Sequence, residues 1–349
     1  VPEKNLHPEA NGSTGIRTAT TSVPAEVIEF LGRLVRPIYV AHVVPDADAL
    51  GSTLALARAY AREAGGPRVS LPAGSVSQRL GFLVEWANVQ VAAVEEFPPA
   101  DGFVVLDTAK IERCNVGPAL KGTNWSAGRA LLNIDHHATN TGFGTVNWAV
   151  EAGSTSELVY HLLVAAERPI DAVTASLLYA GMHSDTVGFS LATTSQGALA
   201  AAADLVRRGA DVGRIGERLC RSQSRSEFEL LRTIYGNMQV VGDGQVAYST
   251  ASYDEIHGAG CTAADIDEQV NVVRSLEGVR LAMLFTEGTR GKTRINFRGE
   301  GRVTVVELAQ ALGGGGHAQS AGAVLSSPIE ETVTRVVPLA IEHLKRFPG

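Results

Sequence analysis

Short apolar runs alternate with helical patterns through the first half of this chain, and that alternation confines it to few architectures. Pro37 to Val44, Arg68 to Leu71, Val89 to Val94, Gly102 to Leu106 and Ala130 to Ile134 read as strands. Ala49 to Glu63, rich in Ala and Leu, reads as the helix that follows the first of them. Strands interleaved with helices predict an α/β fold on a parallel sheet. Open sheets of this kind place ligands beyond the carboxyl ends of their strands. Acidic and imidazole side chains fall at those ends: His42, Asp46 and Asp48 near the first, Asp107 after Leu106, and Asp135-His136-His137 after Ile134.

From Ser154 the pattern turns helical, over Ser154 to Leu163, Ala172 to Ala180, Ser195 to Arg208 and Ser226 to Tyr235, with Asp185 expected in the loop after the second segment. Turn residues at Val241-Gly-Asp-Gly-Gln245 then announce a new unit. In it Val246 to Thr250, Val279 to Thr286 and Lys292 to Arg298 read as strands and Thr262 to Arg274 as a helix, while Val303 to Leu312 leads into Gly313-Gly-Gly-Gly-His317. Single cores usually divide beyond about 250–300 residues, and this chain has 349. The expected division is a flexible tail over 1–22, a parallel-sheet unit over 23–238, a linker over 239–245 and a smaller α/β unit over 246–347.

Composition narrows the function classes. Hydrophobic residues make up 45% and charged residues 19%, as in a globular protein. A net charge of -7 argues against broad binding along a nucleic-acid backbone, although a local basic cleft can still engage a short oligonucleotide. Cys114, Cys220 and Cys261 are too few and too separated for a disulfide framework or a cysteine-rich zinc site. No apolar stretch has the length a bilayer requires, so the expected location is cytoplasmic, without a membrane partner.

Each acidic or imidazole residue also has an ordinary structural reading. Asp46 can cap the following helix, Asp107 and Asp185 can be turn residues, and His136 or His137 can be a hydrogen-bonded interior histidine. Taken together, His42, Asp46, Asp48, Asp107, Asp135, His136, His137 and Asp185 point to a polynuclear metal site. Carboxylate oxygen and imidazole nitrogen suit Mn²⁺ or Mg²⁺, with Zn²⁺ chemically open. Gly313 to Gly316 can be a hinge, or can bring backbone amides and His317 close to an anion. Arg294 and Arg298 read either as surface charge or as phosphate contacts. His183, close to Asp185, is an accessory candidate, and His257 has weaker spacing support. Ser154 and Ser156 lack a nucleophile-elbow context, and the early glycines form neither a dinucleotide-binding fingerprint nor a Walker motif.

The segments His42-Val-Val-Pro-Asp46-Ala-Asp48-Ala-Leu-Gly51-Ser52, Val105-Leu-Asp107-Thr108, Asp135-His136-His137 and Asp185-Thr186 resemble the DHH phosphoesterase superfamily. Gly313-Gly-Gly-Gly-His317-Ala-Gln-Ser-Ala-Gly322 resembles its DHHA1 subgroup. By size the chain is similar to the small oligoribonucleases and 3′-phosphoadenosine 5′-phosphate phosphatases of that superfamily. The resemblance implies a catalytic DHH domain joined to a smaller substrate-binding DHHA1 domain, with two ions, Mn²⁺ ahead of Mg²⁺. One ion would use His42, Asp46 and Asp107, and the other Asp48, Asp107, His136 and Asp185. Asp135 would orient an imidazole, and His137 would contact the substrate or transition state. Gly314, Gly315, Gly316 and His317 would hold a terminal phosphate, assisted by Arg298.

The implied chemistry is attack of metal-activated water on phosphorus. Its substrates would be short RNA or DNA oligonucleotides, cut to 5′-mononucleotides from an end, and small phosphonucleotides such as 3′-phosphoadenosine 5′-phosphate. Cyclic- or linear-dinucleotide hydrolysis is the alternative activity, and a catalytically inactive nucleotide sensor the alternative class. The sequence leaves a homodimer open. One departure stands out: related sequences often carry Ser after the Arg of the strand before the glycine run, and here Gly299 follows Arg298.

Overall fold

The computed structural model describes residues 22–61, 66–191, 193–262, 265–266 and 269–348. All but the last residue of the tail expected over 1–22 lies outside them, as does Glu63. The first six strands are β1 (Ile38–Val40), β2 (Arg68–Ser70), β3 (Gln90–Ala92), β4 (Gly102–Leu106), β5 (Ala130–Asp135) and β6 (Val146–Ala149). They form one parallel sheet in the order β3-β2-β1-β4-β5-β6. The central strands bury both faces, and alternate residues serve different cores. Tyr39, Val104, Leu106, Leu132 and Ile134 join one cluster, while Ile38, Val40, Phe103, Val105 and Leu131 join the other. That two-sided burial is why these strands read as continuous apolar runs rather than alternating ones.

Eight helices accompany this part of the described chain: α1 (Ala25–Arg33), α2 (Ala47–Ala59), α3 (Gly81–Ala87), α4 (Thr155–Ala165), α5 (Ala172–Asp185), α6 (Gln196–Arg207), α7 (Val212–Gly216) and α8 (Arg225–Gly236). Leu50, Leu54, Leu158, Leu162, Leu177 and Leu178 of α2, α4 and α5 fill the core against the sheet. Helix α2 crosses α5 closely enough that a Cβ on Gly51 would lie 2.4 Å from the Leu177 carbonyl oxygen. Glycine is needed there for packing, since both residues lie inside helices.

The remaining strands are β7 (Gln239–Val241), β8 (Val246–Ala251), β9 (Leu281–Thr289), β10 (Lys292–Gly299), β11 (Gly315–Gly316) and β12 (Ser320–Leu325). They make a second sheet in the order β11-β12-β10-β9-β8-β7, antiparallel except where β8 meets β9. Helices α11 (Val306–Ala311) and α12 (Ile329–Leu344) join the core on one face, with α9 (Tyr253–Gly258) and α10 (Val270–Arg274) on the other.

Several expectations need correction. The first strand ends at Val40 instead of Val44, because from Ala41 the backbone pairs with the 113–115 segment instead of the sheet, and Val44 then turns the chain at a φ of 51°. Helix α5 runs on through Asp185, so that carboxylate stands on a helix end and not in a loop. The stretch 239–245 is β7 and its hairpin turn, hydrogen-bonded to β8, and not a linker. Helix α8 packs Leu230 and Ile234 with Ala247, Ala251 and Leu284, so its buried face belongs to the second sheet although it falls within 23–238. The helix expected over Thr262 to Arg274 is helical over Val270–Arg274, with 263–264 and 267–268 outside the described residues. Strand β6 and helices α1, α3 and α7 had no sequence counterpart.

Candidate metal centre and the imidazole cluster above it

The loop after β1 carries His42 into the interior, and Asp46 closes that loop as the N-cap of α2. Asp46 Oδ1 accepts the amides of Asp48 and Ala49 at 3.0 and 2.9 Å. Its other oxygen lies 3.7 Å from His42 Nε2. Capping thus consumes one oxygen and leaves the second for the site. His42 Nδ1 sits 2.8 Å from the Val43 carbonyl, which can only accept, so Nδ1 carries a proton and Nε2 faces the carboxylates.

Asp107 stands between two groups of ligand-type side chains. It follows β4 in the left-handed region, at a φ of 53°, a conformation Asp tolerates better than most residues. Its Oδ2 lies 3.6 Å from His42 Nε2, while Oδ1 lies 3.4 Å from His136 Nε2. Each oxygen therefore addresses a different imidazole.

The second group gathers at His136, the first residue past β5. Its Nε2 lies 3.1 Å from Asp185 Oδ2 and 3.9 Å from Asp48 Oδ2. Asp48, in the first turn of α2, is wholly buried. The first turn of α4 holds its two oxygens, with the Thr155 amide donating to Oδ2 at 2.7 Å and the Ser156 amide to Oδ1 at 2.9 Å. Ligand atoms of His42, Asp46 and Asp107 fall within 4.8 Å of one another, as do those of Asp48, His136 and Asp185.

The electrostatics of these groups are those of a site short of positive charge. Burial works against ionised Asp107, but the His136 and His42 imidazoles beside it hold it well below its ordinary range. Burial, followed by repulsion from Asp107 and Asp185, pushes Asp48 well above that range. Burial would lower His42, yet Asp107 and Asp46 outweigh it and raise the imidazole to about 10. Four carboxylates and two imidazoles without a thiolate are the donor chemistry of hard divalent cations. The side chains present therefore fit hard divalent cations, and Asp107 stands between the two groups.

Asp135 and His137 pair beside these groups, and His137 Nδ1 also lies 3.7 Å from Asp107 Oδ1. Asp135 Oδ1 lies 2.7 Å from His137 Nδ1, and Oδ2 accepts from Asn140 Nδ2 at 2.5 Å. From the second sheet, the β11–β12 turn delivers His317, whose ring stacks on His137 with centroids 4.2 Å apart and planes 18° from parallel. His317 is also 4.6 Å from the His136 ring. Burial, then the neighbouring His137 and His136, depress it to about 2, so it is a neutral imidazole.

Comparison with known proteins agrees with this architecture. Residues 37–182 match the N-terminal domain of the DHH family, and residues 243–346 match the DHHA1 domain. A bifunctional oligoribonuclease and PAP phosphatase NrnA from Thermus thermophilus is 31% identical over 92% of this chain and 94% of its own length. The chain belongs to the DHH family. A protein of the same description from Bacillus subtilis is 27% identical over 82% of this chain and 88% of its own length. The fold matches that of an exopolyphosphatase-related protein from Bacteroides fragilis, with a TM-score of 0.75 at 23% identity, over 92% of this chain and 96% of that one.

Other DHH site candidates are less uniformly placed. Of the glycines in the run, Gly313 needs its positive φ of 82° and Gly316 one of 141°. A Cβ on Gly314 would clash with the Gly322 carbonyl, so these three glycines answer to backbone geometry and close strand pairing. Gly315 differs: its Cβ position lies 3.8 Å from Thr139 Oγ1 of the first unit and is otherwise open. Arg294, Asn296 and Arg298 share the face of β10 opposite the buried Ile295 and Phe297. Arg294 Nε donates to Asn296 Oδ1 at 3.1 Å and Arg298 Nε to Asn271 Oδ1 at 3.3 Å. Gly299, where related sequences often have Ser, has no room for a Cβ against the Val303 carbonyl. His183 does not join the ligand groups and instead packs beside Tyr179 and Phe189, each ring centroid 6.1 Å away.

Sequence reasoning missed Asn140 and Thr155. Asn140 bridges Asp135 to Asn133 Oδ1, the latter at 2.8 Å. A sequence signal existed only for α4, where Ser154-Thr155-Ser156-Glu157 is a helix-start pattern. Nothing local ties that pattern to Asp48 more than a hundred residues earlier.

Proposed function

We propose that this chain is a divalent-metal-dependent phosphoesterase that cuts short oligonucleotides to 5′-mononucleotides from an end and converts 3′-phosphoadenosine 5′-phosphate to AMP and phosphate. The observation that carries the reading is Asp107, whose two oxygens face two separate carboxylate–imidazole groups. The names of the relatives from Thermus thermophilus and Bacillus subtilis support the substrate class. His42, Asp46 and Asp107 would hold one ion, and Asp48, Asp107, His136 and Asp185 the other, with Mn²⁺ preferred to Mg²⁺. Such ions, when bound, neutralise phosphoryl oxygens and lower the pKa of water.

The protein's own residues do the positioning. Asp135 accepts from His137 Nδ1–H and so leaves Nε2 for the substrate. A neutral Nε2 accepts a proton, and a protonated one donates to a phosphoryl oxygen. His317, stacked on His137, brings the second unit's donors to the same point. Arg298 and the open face at Gly315 would meet a phosphate there. No described helix is long and apolar enough to cross a membrane, and the cytoplasm is the compartment we assign on the strength of the nucleotide substrates.

The test is product release from 2–5-residue RNA, pApA, 3′-phosphoadenosine 5′-phosphate and cyclic dinucleotides, each with Mn²⁺ or Mg²⁺. Mononucleotide from the short RNAs and phosphate from 3′-phosphoadenosine 5′-phosphate are expected. Turnover confined to cyclic dinucleotides would replace the oligonucleotide reading. Binding without release of any product would leave a nucleotide sensor.

A further inference from the structure

The first turn of α4 touches two of the four carboxylates of the proposed centre, Asp48 and Asp107. Ser154 caps the helix in the ordinary way, accepting the Glu157 amide at 3.0 Å. The two amides before it, of Thr155 and Ser156, are claimed from another element, by the two oxygens of Asp48 at 2.7 and 2.9 Å. The Thr155 hydroxyl then donates to Asp107 Oδ1 at 2.9 Å. Thr155 is wholly buried. One residue thus holds Asp48 with its main chain and Asp107 with its side chain.

The consequence lies in which way Asp107 points. A carboxylate that serves two groups of ligands must keep its plane fixed, or one oxygen leaves its imidazole. Here Oδ2 faces His42 at 3.6 Å, while Oδ1 faces His136 at 3.4 Å and accepts from Thr155. Thr155 is wholly buried, so its hydroxyl, hydrogen-bonded to Oδ1, opposes rotation of Asp107. The outer partners of metal-ligating side chains orient them, and losing one typically costs 10–100-fold in affinity or activity.

We propose that Thr155 is a positioning residue that locks Asp107 and Asp48 into one arrangement and thereby sets the affinity of the ion held by Asp48, Asp107, His136 and Asp185. The inference rests on the metal-centre reading above. Its test is a Mn²⁺ binding isotherm on the metal-stripped full chain, measured calorimetrically for wild type, Thr155→Val and Thr155→Ser. Thr155→Val keeps the shape and removes the donor; Thr155→Ser restores it. The valine variant is expected to bind one ion like wild type and the other roughly 10–100-fold more weakly. Thr155→Ser should return to within a few-fold of wild type. In turnover, the Mn²⁺ concentration for half-maximal rate should rise in Thr155→Val, with substrate KM unchanged at saturating Mn²⁺.

Wild-type isotherms for both ions in Thr155→Val would overturn the proposal. So would equal weakening in the valine and serine variants, which would mean a packing role alone. If Thr155→Val does not fold, Thr155→Ala carries the same comparison against serine. A wild-type chain that binds no Mn²⁺ would overturn the metal-centre reading and this inference with it, whereas two intact sites in the donor-less variant would overturn only the role of Thr155.

Discussion

At the scale of single residues, the site works by giving the two ends of one side chain different tasks. Asp46 caps α2 with Oδ1 and turns Oδ2 to His42. Asp107 divides its oxygens between His42 and His136. Asp135 holds His137 with one oxygen and Asn140 with the other. The structural readings of these residues in the sequence therefore do not compete with the functional ones, since a carboxylate has two oxygens. Because Asp135 acts through His137 and belongs to neither ion's proposed set, Asp135→Asn is expected to lower kcat by about 10–100-fold. Bound Mn²⁺ should stay at the wild-type amount, as measured by elemental analysis after gel filtration. Loss of an ion in that variant would move Asp135 into the ligand set.

At the scale of elements, helices α2, α4 and α5 meet where glycine lets them. A Cβ on Gly181 would stand 2.1 Å from Ser156 Oγ and 2.7 Å from Asp48 Oδ1. Gly181→Ala must therefore push α5 away from Asp48, and overpacking of this kind typically costs about 1–3 kcal/mol. The melting temperature should fall and Mn²⁺ binding weaken together. In α1, by contrast, a Cβ on Gly32 meets nothing within 4 Å, so Gly32→Ala should leave both unchanged or raise stability slightly. Unaltered stability in Gly181→Ala would contradict the packing described. The parallel strands were legible in the sequence because burial on both faces makes them continuous apolar runs, as at Gly102–Leu106. Strand β6 was not, since Val146 to Ala149 alternates exposure at the sheet edge and carries Asn147. The extension of α5 to Asp185 was hidden by Gly181, His183 and Ser184, which look like a helix ending but sit inside the helix.

At the scale of the whole molecule, the site takes residues from both sheets. The ordered motifs from His42 to Asp185 and the glycine run before His317 were readable one by one, because each lies at a strand or helix end. Their meeting was not, because the contact of His317 with His137 joins residues 180 positions apart. The same holds for α8 and the 239–245 turn, local patterns whose assignment depends on the sheet they pack against. His317 contributes to neither proposed ion set, so His317→Ala is expected to lower kcat/KM by about tenfold or more while Mn²⁺ binding is kept; losing a donor aimed at developing charge has that scale or larger. Unchanged kcat/KM on pApA would remove His317 from the chemistry.

The sharing of Asp107 between the two ligand groups is the point on which the account stands, and it is tested by counting ions and turnovers in one variant. Wild-type chain should bind two Mn²⁺ and release mononucleotide from pApA. Asp107→Asn should lose both tight sites and on the order of 10²-fold or more of the rate. Near-normal Mn²⁺ content and rate in that variant would contradict it.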